Sequence, residues 1–380
     1  MQKVIISPDS YKGILSAKEV CDTISYQINK AYPFCEIIKV PVADGGEGSL
    51  DAFMSCKDGR KIFANAFNAA MQLTKCYFLI FEDTAVIETS QLISPKAVPN
   101  ANVLEASTYG IGQLILQAIK LNVNKIILCL GDSIAADCGC GMAAALGAKF
   151  FDGGYNEFLP KGSTLADVAA VDFSIVRKNI RMASFRALIN DDSSLIKGVS
   201  AKLMSQGVDS QNANTVHQFF ERFNTFLLSL TGTDHSEIVG GGAALGLGAG
   251  AKAFLDANLS RSIESILELV NFGELIRDAD VIITGEGSLD ANSLEGNVLT
   301  GVTKYAKRQN IPVLSVVGKV GNIDREKLRQ LGVTAIFSLN NDINVPDPKR
   351  ETILSLSALM GEIMSIWQIK SNFSIRGKIF

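Results

Sequence analysis

Histidine is scarce in this sequence: His217 and His235 are the only two among 380 residues. Neither lies beside a serine or cysteine nucleophile signature, so the sequence does not favour histidine-based hydrolase chemistry or a zinc site with several histidines. The seven cysteines are odd in number and most stand in apolar segments, which is typical of reduced thiols. Cys138 and Cys140 are close in sequence, but no matching pair of cysteines completes a metal site.

The sequence also lacks a long apolar run and an excess of charge. Its longest stretches without a charged residue are Ala106–Ile119 and Ile238–Ala251, of 14 residues each, whereas a membrane-spanning helix needs about 20. Thirty-six basic residues oppose 39 acidic ones, so no electrostatic reason exists to expect nucleic acid or a membrane surface as a partner. The N-terminus enters an apolar strand without a targeting pattern. We therefore expect a cytoplasmic monomer or homodimer.

Short β-branched strands alternate with helices at both ends of the chain. Val4–Ser7 precedes a helix at Ser16–Ala31, with Ser16 as N-cap, and Asp280–Thr284 precedes a helix at Val298–Arg308. This alternation predicts an α/β fold with a parallel sheet that is covered by helices.

The middle of the chain has a different pattern. Residues 61–90 form short alternating segments that favour antiparallel strands, and the polar segment Ser205–Thr215 is predicted to be a loop. A chain of this length also favours two domains. We predict a discontinuous Rossmann-like parallel-sheet domain from residues 1–62 and 270–380. An inserted second α/β domain with a mixed or antiparallel sheet is predicted over residues 63–269.

A first candidate loop, Ser7–Gly13, follows the first predicted strand. Ligands of open α/β sheets bind at the carboxyl ends of the strands. Ser10, Lys12 and Gly13 precede a helix N-terminus, where the helix dipole and free N–H groups favour an anion. The alternative is an ordinary turn with a solvated lysine.

A second loop contains Asp44, Gly45, Gly46 and Glu47 after the next strand. Two acids around paired glycines can coordinate magnesium or accept a hydroxyl proton, and the glycines let a ligand approach the backbone. The alternative is a glycine-dictated turn with exposed acids.

Two further loops follow later strands. Ser133 and Asp137 belong to a turn at a helix start that could cradle phosphate, although the charge of Asp132 opposes that interpretation. Gly285, Glu286 and Asp290 belong to a loop that again pairs acids with glycines.

The glycine run Gly240–Gly250 lacks the spacing of a Walker loop. Its small residues are compatible either with close helix packing or with contact to a nucleotide.

Two of these loops carry a family resemblance. Lys3–Ala17 (KVIISPDSYKGILSA) and Val40–Gly48 (VPVADGGEG) resemble the opening of bacterial glycerate kinases, with Tyr11 in place of phenylalanine. Similar segments follow in the family's order along the chain: Ala85–Glu88, Thr108–Ile115, Gly141–Gly147, Gly240–Gly250 and Ile283–Asp290.

The resemblance implies an ATP- and Mg²⁺-dependent kinase that phosphorylates D-glycerate at a site between the two domains. Ser10 and Lys12 then resemble the anion-binding loop, and Asp44 and Glu286 are the implied metal ligands. Charge neutralisation by lysine, magnesium and backbone N–H groups is what phosphoryl transfer requires.

Some of the family's positions have changed. The acid that would act as base falls at Asn190, whose amide cannot accept a hydroxyl proton, while Asp191 stands one place away. The family's Arg-Asn-Pro arginine becomes Ala101, and a lysine is lost near Ser205–Asp209. The catalytic candidates are therefore Asp191, Asn190 and Lys12. The alternative function is a catalytically impaired or inactive paralog that binds a nucleotide or sugar acid. A nicotinamide dehydrogenase is disfavoured because no G-x-G-x-x-G follows the first strand.

Overall fold

The computed structural model describes residues 1–11, 13–43, 45–56, 58–190, 192–197, 199–205, 208–294, 298–339 and 345–376. The chain splits into two compact units. Unit 1 comprises Met1–Asp44, Asp51–Lys57 and Ile263–Phe380, and unit 2 comprises Gly45–Leu50 and Asp58–Ser262. The domain boundaries drawn from the sequence, at residues 62/63 and 269/270, stay a prediction.

Strands and helices alternate along much of the chain. In chain order, the strands are β1 (Lys3–Ile6), β2 (Glu36–Lys39), β3 (Arg60–Phe67), β4 (Leu73–Phe81), β5 (Thr84–Glu88), β6 (Lys125–Leu130), β7 (Lys149–Phe151), β8 (Glu157–Phe158), β9 (Ala170–Asp172), β10 (Ser184–Ile189), β11 (Asn258–Arg261), β12 (Val281–Thr284), β13 (Ser288–Leu289), β14 (Val313–Val317), β15 (Lys319–Val320) and β16 (Val333–Ser338). The helices are α1 (Ala17–Ala31), α2 (Ser49–Cys56), α3 (Ser90–Ile93), α4 (Tyr109–Lys120), α5 (Cys140–Ala145), α6 (Ser174–Ile180), α7 (Val199–Ser205), α8 (Ser210–Thr231), α9 (Leu247–Leu255), α10 (Ser262–Leu269), α11 (Phe272–Leu275), α12 (Val298–Arg308), α13 (Arg325–Leu331) and α14 (Pro348–Arg376).

Unit 1 contains a five-stranded sheet in the order β16-β14-β12-β1-β2, and its strand pairs are parallel. Helices α1 and α14 bury the apolar side chains of one face, and α12 and α13 contribute to a cluster with Val317 and Val333. Since a parallel sheet needs helices on its faces, the short apolar strands predicted this arrangement, and the structure confirms it.

Helix α1 begins where the sequence pattern predicts. The Ser16 hydroxyl accepts the Glu19 N–H at 3.3 Å, and the Glu19 carboxylate accepts the Ser16 N–H at 2.9 Å. This capping box satisfies N–H groups of the first turn. Val20, Ile24 and Ile28 then bury one face of the helix, so α1 holds the loop that precedes it at the end of β1.

Unit 2 contains a six-stranded mixed sheet in the order β11-β10-β6-β5-β4-β3. β3, β4 and β5 pair antiparallel, whereas β5, β6, β10 and β11 pair parallel. The mixed sheet confirms the predicted fold class. The carboxyl ends of the four parallel strands lie at one edge, which brings the loops after them together.

The loop predicted over Ser205–Thr215 is wrong from Ser210 onward, because α8 begins there. Asp209 caps this helix, since its carboxylate accepts the Asn212 N–H at 2.9 Å. The polar side chains of the first turn are solvated, while Ala213 and Val216 are buried. Tertiary packing of one apolar face therefore outweighs the polar composition. None of the helices in the described part of the chain is both long and apolar enough to span a bilayer.

Candidate active site

The first and fourth candidate loops are neighbours in unit 1. The Ser7 N–H donates to the Ile283 carbonyl and the Asp9 N–H to the Gly285 carbonyl, both at 2.8 Å. The Thr284 hydroxyl donates to the Ser7 carbonyl at 2.8 Å. These bonds continue the β1–β12 ladder beyond the strand ends. The structure thus brings the backbone of the loop that carries Ser10 beside Gly285; Lys12 lies outside the described residues.

A buried tyrosine ties the same two loops to the next strand. The Tyr11 hydroxyl donates to the Val316 carbonyl of β14 at 2.8 Å. A Cβ on Gly285 would lie 1.7 Å from that carbonyl oxygen, so the position admits only glycine without a backbone shift. Burial raises the pKa of Tyr11 well above its ordinary value, and the nearby charge of Glu286 adds to the shift.

The backbone of the late acidic loop is fixed against β14 and β15. The Gly318 N–H donates to the Glu286 carbonyl at 3.1 Å, and the Gly321 N–H to the Leu289 carbonyl at 2.8 Å. The Ser293 hydroxyl accepts the Asp290 N–H at 3.1 Å. Glu286 and Asp290 are half-buried at the carboxyl edge of the sheet. Their carboxylates are therefore carried by a rigid loop. Gly13, the last residue of the first loop, is exposed with a φ of +76°.

The acidic loop of residues 45–50 lies across the carboxyl edge of the unit 2 sheet. A Cβ on Gly131, directly after β6, would lie 2.7 Å from the Cα of Gly46. A Cβ on Gly45, whose φ is +89°, would lie 1.9 Å from the Ser262 Oγ. The loop thus packs against the ends of β6 and β11 at contact distances that only glycine allows. Asp44 lies outside the described residues.

Glu88, at the end of β5, binds the last residue of the loop of residues 45–50. Its carboxylate is buried at 5% exposure and accepts the Leu50 N–H at 3.1 Å and the Ser90 hydroxyl at 2.9 Å. Leu50 belongs to the first turn of α2, where a negative charge is favourable. Sequence reasoning did not single out Glu88 as a candidate, although an acid that ends an apolar strand is a usable signal.

Glu47 forms an ion pair with Lys96, from the segment after α3. Both side chains are exposed, at 62% and 77%. The pair is therefore weak and open to exchange with a charged ligand. Lys96 was missed because nothing in its local sequence connects it to residue 47.

Ser133 and Asp137 lie in the turn before α5, as the sequence indicates, and their side chains form hydrogen bonds within the protein. Both are fully buried. The Ser133 hydroxyl accepts the Ala135 N–H at 3.0 Å within its own turn. The Asp137 carboxylate accepts the Thr108 N–H at 2.7 Å and the Gly139 N–H at 3.0 Å. These contacts within the protein do not support their prediction as ligand-binding side chains.

Asn190 is exposed directly after β10. Asp191, the alternative base, lies outside the described residues. The glycine run packs against the segment that follows: the Gly242 N–H donates to the Ser193 carbonyl at 2.9 Å, and a Cβ on Gly242 would lie 2.4 Å from the Ser194 carbonyl oxygen. This contact favours close packing as the reason for the glycines.

Comparison with known proteins identifies the family of this chain. The sequence profile described as "Glycerate kinase family" matches residues 4–368. The chain belongs to the glycerate kinase family. It is 32% identical over 377 residues to the glycerate kinase of Bacillus cereus, an alignment that covers 97% of this chain and 99% of that protein. It is 31% identical to the glycerate 2-kinase of Escherichia coli over 91% of this chain and 92% of the relative.

The fold agrees as well. A crystal structure of a Salmonella typhimurium LT2 protein assigned as glycerate kinase 2 superposes with a TM-score of 0.84 and 28% identity. The match covers 98% of this chain and 99% of the other. The resemblance drawn from the first two loops is thereby confirmed.

The described acids do not by themselves form a metal site. Among these residues, no three side chains of histidine, cysteine, aspartate or glutamate gather into a ligand group. Mg²⁺ in phosphoryl-transfer sites is often held by one or two carboxylates together with substrate phosphates. Glu286, on its rigid loop, fits that second mode.

Proposed function

We propose that this member of the glycerate kinase family is an ATP-dependent kinase that transfers the γ-phosphate of ATP to a hydroxyl of D-glycerate. The observation that carries the proposal is the gathering of the family's loops at the carboxyl ends of parallel strands. Ser7–Ser10 lies beside Gly285 in unit 1, and Gly45–Glu47 lies beside Gly131 in unit 2. These are the positions where open α/β sheets bind ligands.

The roles follow from the charge of the substrates. ATP and glycerate are both anions, so transfer needs groups that neutralise and orient negative oxygens. Ser10, Gly13 and Lys12, before the N-terminus of α1, are proposed to bind an anion. Glu286 and Asp44 are proposed to hold Mg²⁺, which would neutralise charge on the phosphates when bound. The acceptance of the hydroxyl proton is proposed for Asp191, which follows the exposed Asn190.

A coupled ADP-release assay with D-glycerate, ATP and magnesium tests the proposal. We expect turnover that depends on D-glycerate and is abolished by Asp191→Asn. Thr225→Val, on the exposed part of α8, is a matched control that should keep activity. No turnover above blank at high enzyme concentration would overturn the proposed activity. A cytoplasmic location, where ATP is abundant, stays a prediction of the sequence.

A second candidate is an impaired paralog that binds a nucleotide or sugar acid without turnover. The favouring observation is Asn190 itself, an amide exposed at the end of β10 where the family's base is expected. Asn190→Asp discriminates between the two. Activity that appears only in this variant identifies the natural chain as the impaired form. Activity in the natural chain excludes that candidate.

A further inference from the structure

Arg261 is the last residue of β11, which is the edge strand of the parallel part of the unit 2 sheet. Register places it opposite Ile189 of β10, and Ile189 is in turn opposite Leu130 of β6. The next residues along these strands are Ser262, Asn190 and Gly131. Arg261 is therefore the last strand residue before the loop that follows β11. It lies beside β10, the strand that precedes the expected base.

Arg261 is held in place by the loop after β10. Its guanidinium forms an ion pair with the Asp192 carboxylate. The Ser262 hydroxyl, one residue on, donates to the Ile189 carbonyl at 2.8 Å. The Asp192 carbonyl accepts the Gly240 N–H at 3.4 Å, so the glycine run supports the segment that carries this carboxylate. The arginine is thus fixed by side-chain and backbone contacts from the neighbouring strand.

The guanidinium also remains within reach of a ligand. The side chain of Arg261 is 39% exposed and that of Asp192 is 41% exposed. The same edge carries the exposed acid Asp132, which repels anions. A substrate with a carboxylate or phosphate needs a fixed positive group to counter that repulsion. Arginine provides a permanent charge and a planar fork that matches both kinds of oxyanion.

We propose that Arg261 binds an anionic group of the substrates, the carboxylate of the sugar acid or a phosphate of ATP, with Asp192 as the residue that positions it. The proposal rests on the proposed function for the identity of the anions. Carboxylate and phosphate share the chemistry that a guanidinium recognises, and the experiment separates the two sources.

The test compares Arg261→Gln with Arg277→Gln. Arg277 is also an exposed arginine in an ion pair, with Glu274 at 2.8 Å, but it precedes β12 and so lies at the amino end of a strand. Loss of a charge-assisted contact is expected to weaken binding about ten- to hundred-fold. We expect the KM of one substrate to rise by that factor in Arg261→Gln, with no change in Arg277→Gln. Asp192→Asn should raise the same KM by less.

Each outcome is decisive. A raised KM for D-glycerate alone assigns the carboxylate, and a raised KM for ATP alone assigns the phosphate. Unchanged KM values for both overturn the proposal. If the natural chain shows no turnover, the proposed activity fails, and calorimetric titration with D-glycerate and with ATP then tests Arg261 separately. If Arg261→Gln does not fold, Arg261→Met decides, because methionine keeps a long unbranched side chain but carries no charge, and unaltered binding overturns the proposal.

Discussion

Replacement of Asp137 by alanine is expected to destabilise unit 2 strongly. Beyond the two N–H contacts already described, its carboxylate accepts the Gly141 N–H at 3.2 Å, the Thr108 hydroxyl at 3.0 Å and the Ser107 hydroxyl at 3.3 Å. The hydroxyls can rotate to other acceptors, but the three backbone N–H groups cannot. Each buried donor without an acceptor costs about 1–3 kcal/mol. Since water can enter the space left by the carboxylate, we expect a total near the lower end, about 3–5 kcal/mol.

Burial raises the pKa of the Asp137 carboxyl, and the donors from Thr108 and the two glycines oppose that shift. The Asp137 carboxylate nonetheless accepts hydrogen bonds from five donors. Asp137→Asn keeps one acceptor oxygen, so it should lower the free energy of unfolding less than the alanine variant does. Compared with the about 5–15 kcal/mol that stabilises a typical domain, the alanine change removes a large share.

The measurement is hydrogen exchange at the amides of α4 and α5, together with thermal unfolding followed by circular dichroism. The two helices begin beside Asp137, so their exchange should accelerate first. Asp152→Ala is the control, because Asp152 also accepts two backbone N–H groups, from Gly154 at 2.8 Å and Asn156 at 2.9 Å, but on an exposed turn. Equal stability of the two variants would refute the reasoning. So would a stable Asp137→Ala protein that has lost only ATP binding.

Three further predictions concern single residues. Gly45→Ala should nearly abolish activity, since its φ of +89° strains any other residue and the new Cβ would meet Ser262 Oγ at 1.9 Å; a fully active variant in the kinase assay would contradict this. Tyr11→Phe should lower the free energy of unfolding by about 1 kcal/mol through loss of the bond to Val316, and an unchanged melting temperature would speak against it. Burial lowers the pKa of His235 below its ordinary 6.5, so the unfolded chain takes up a proton that the folded chain resists. Stability in urea should therefore fall as the pH drops below 6.5, and His235→Gln should remove that dependence.

The sequence predicts well those elements whose signals are local. Helix α12 has the bounds expected from the sequence pattern, Val298–Arg308, because helical periodicity is decided within the segment. The start of α8 was misread because its first turn is polar and its apolar face becomes visible only over a longer stretch. Packing against the core of unit 2 then determines the helix.

The residues of the candidate site also differ in whether a local sequence pattern reveals them. The acidic loops could be found because acids and glycines stand together in sequence after a strand. Glu88 has a local signal, because it is an acid that ends an apolar strand. Lys96 and Arg261 have none, since their proximity to those loops depends on the strand order β11-β10-β6-β5 rather than on any local motif. Asp137 is a different case. An acid in a glycine-containing turn resembles a ligand, and only its burial reveals that it bonds to the N-termini of two helices.

The most direct measurement is detection of the product. The natural chain is incubated with ATP, magnesium and D-glycerate, and phosphorylated glycerate is quantified by phosphorus NMR alongside ADP. The proposed kinase activity predicts one phosphoglycerate for each ADP and no ADP without glycerate. ATP breakdown without phosphoglycerate, or no reaction at all in the natural chain, would contradict it.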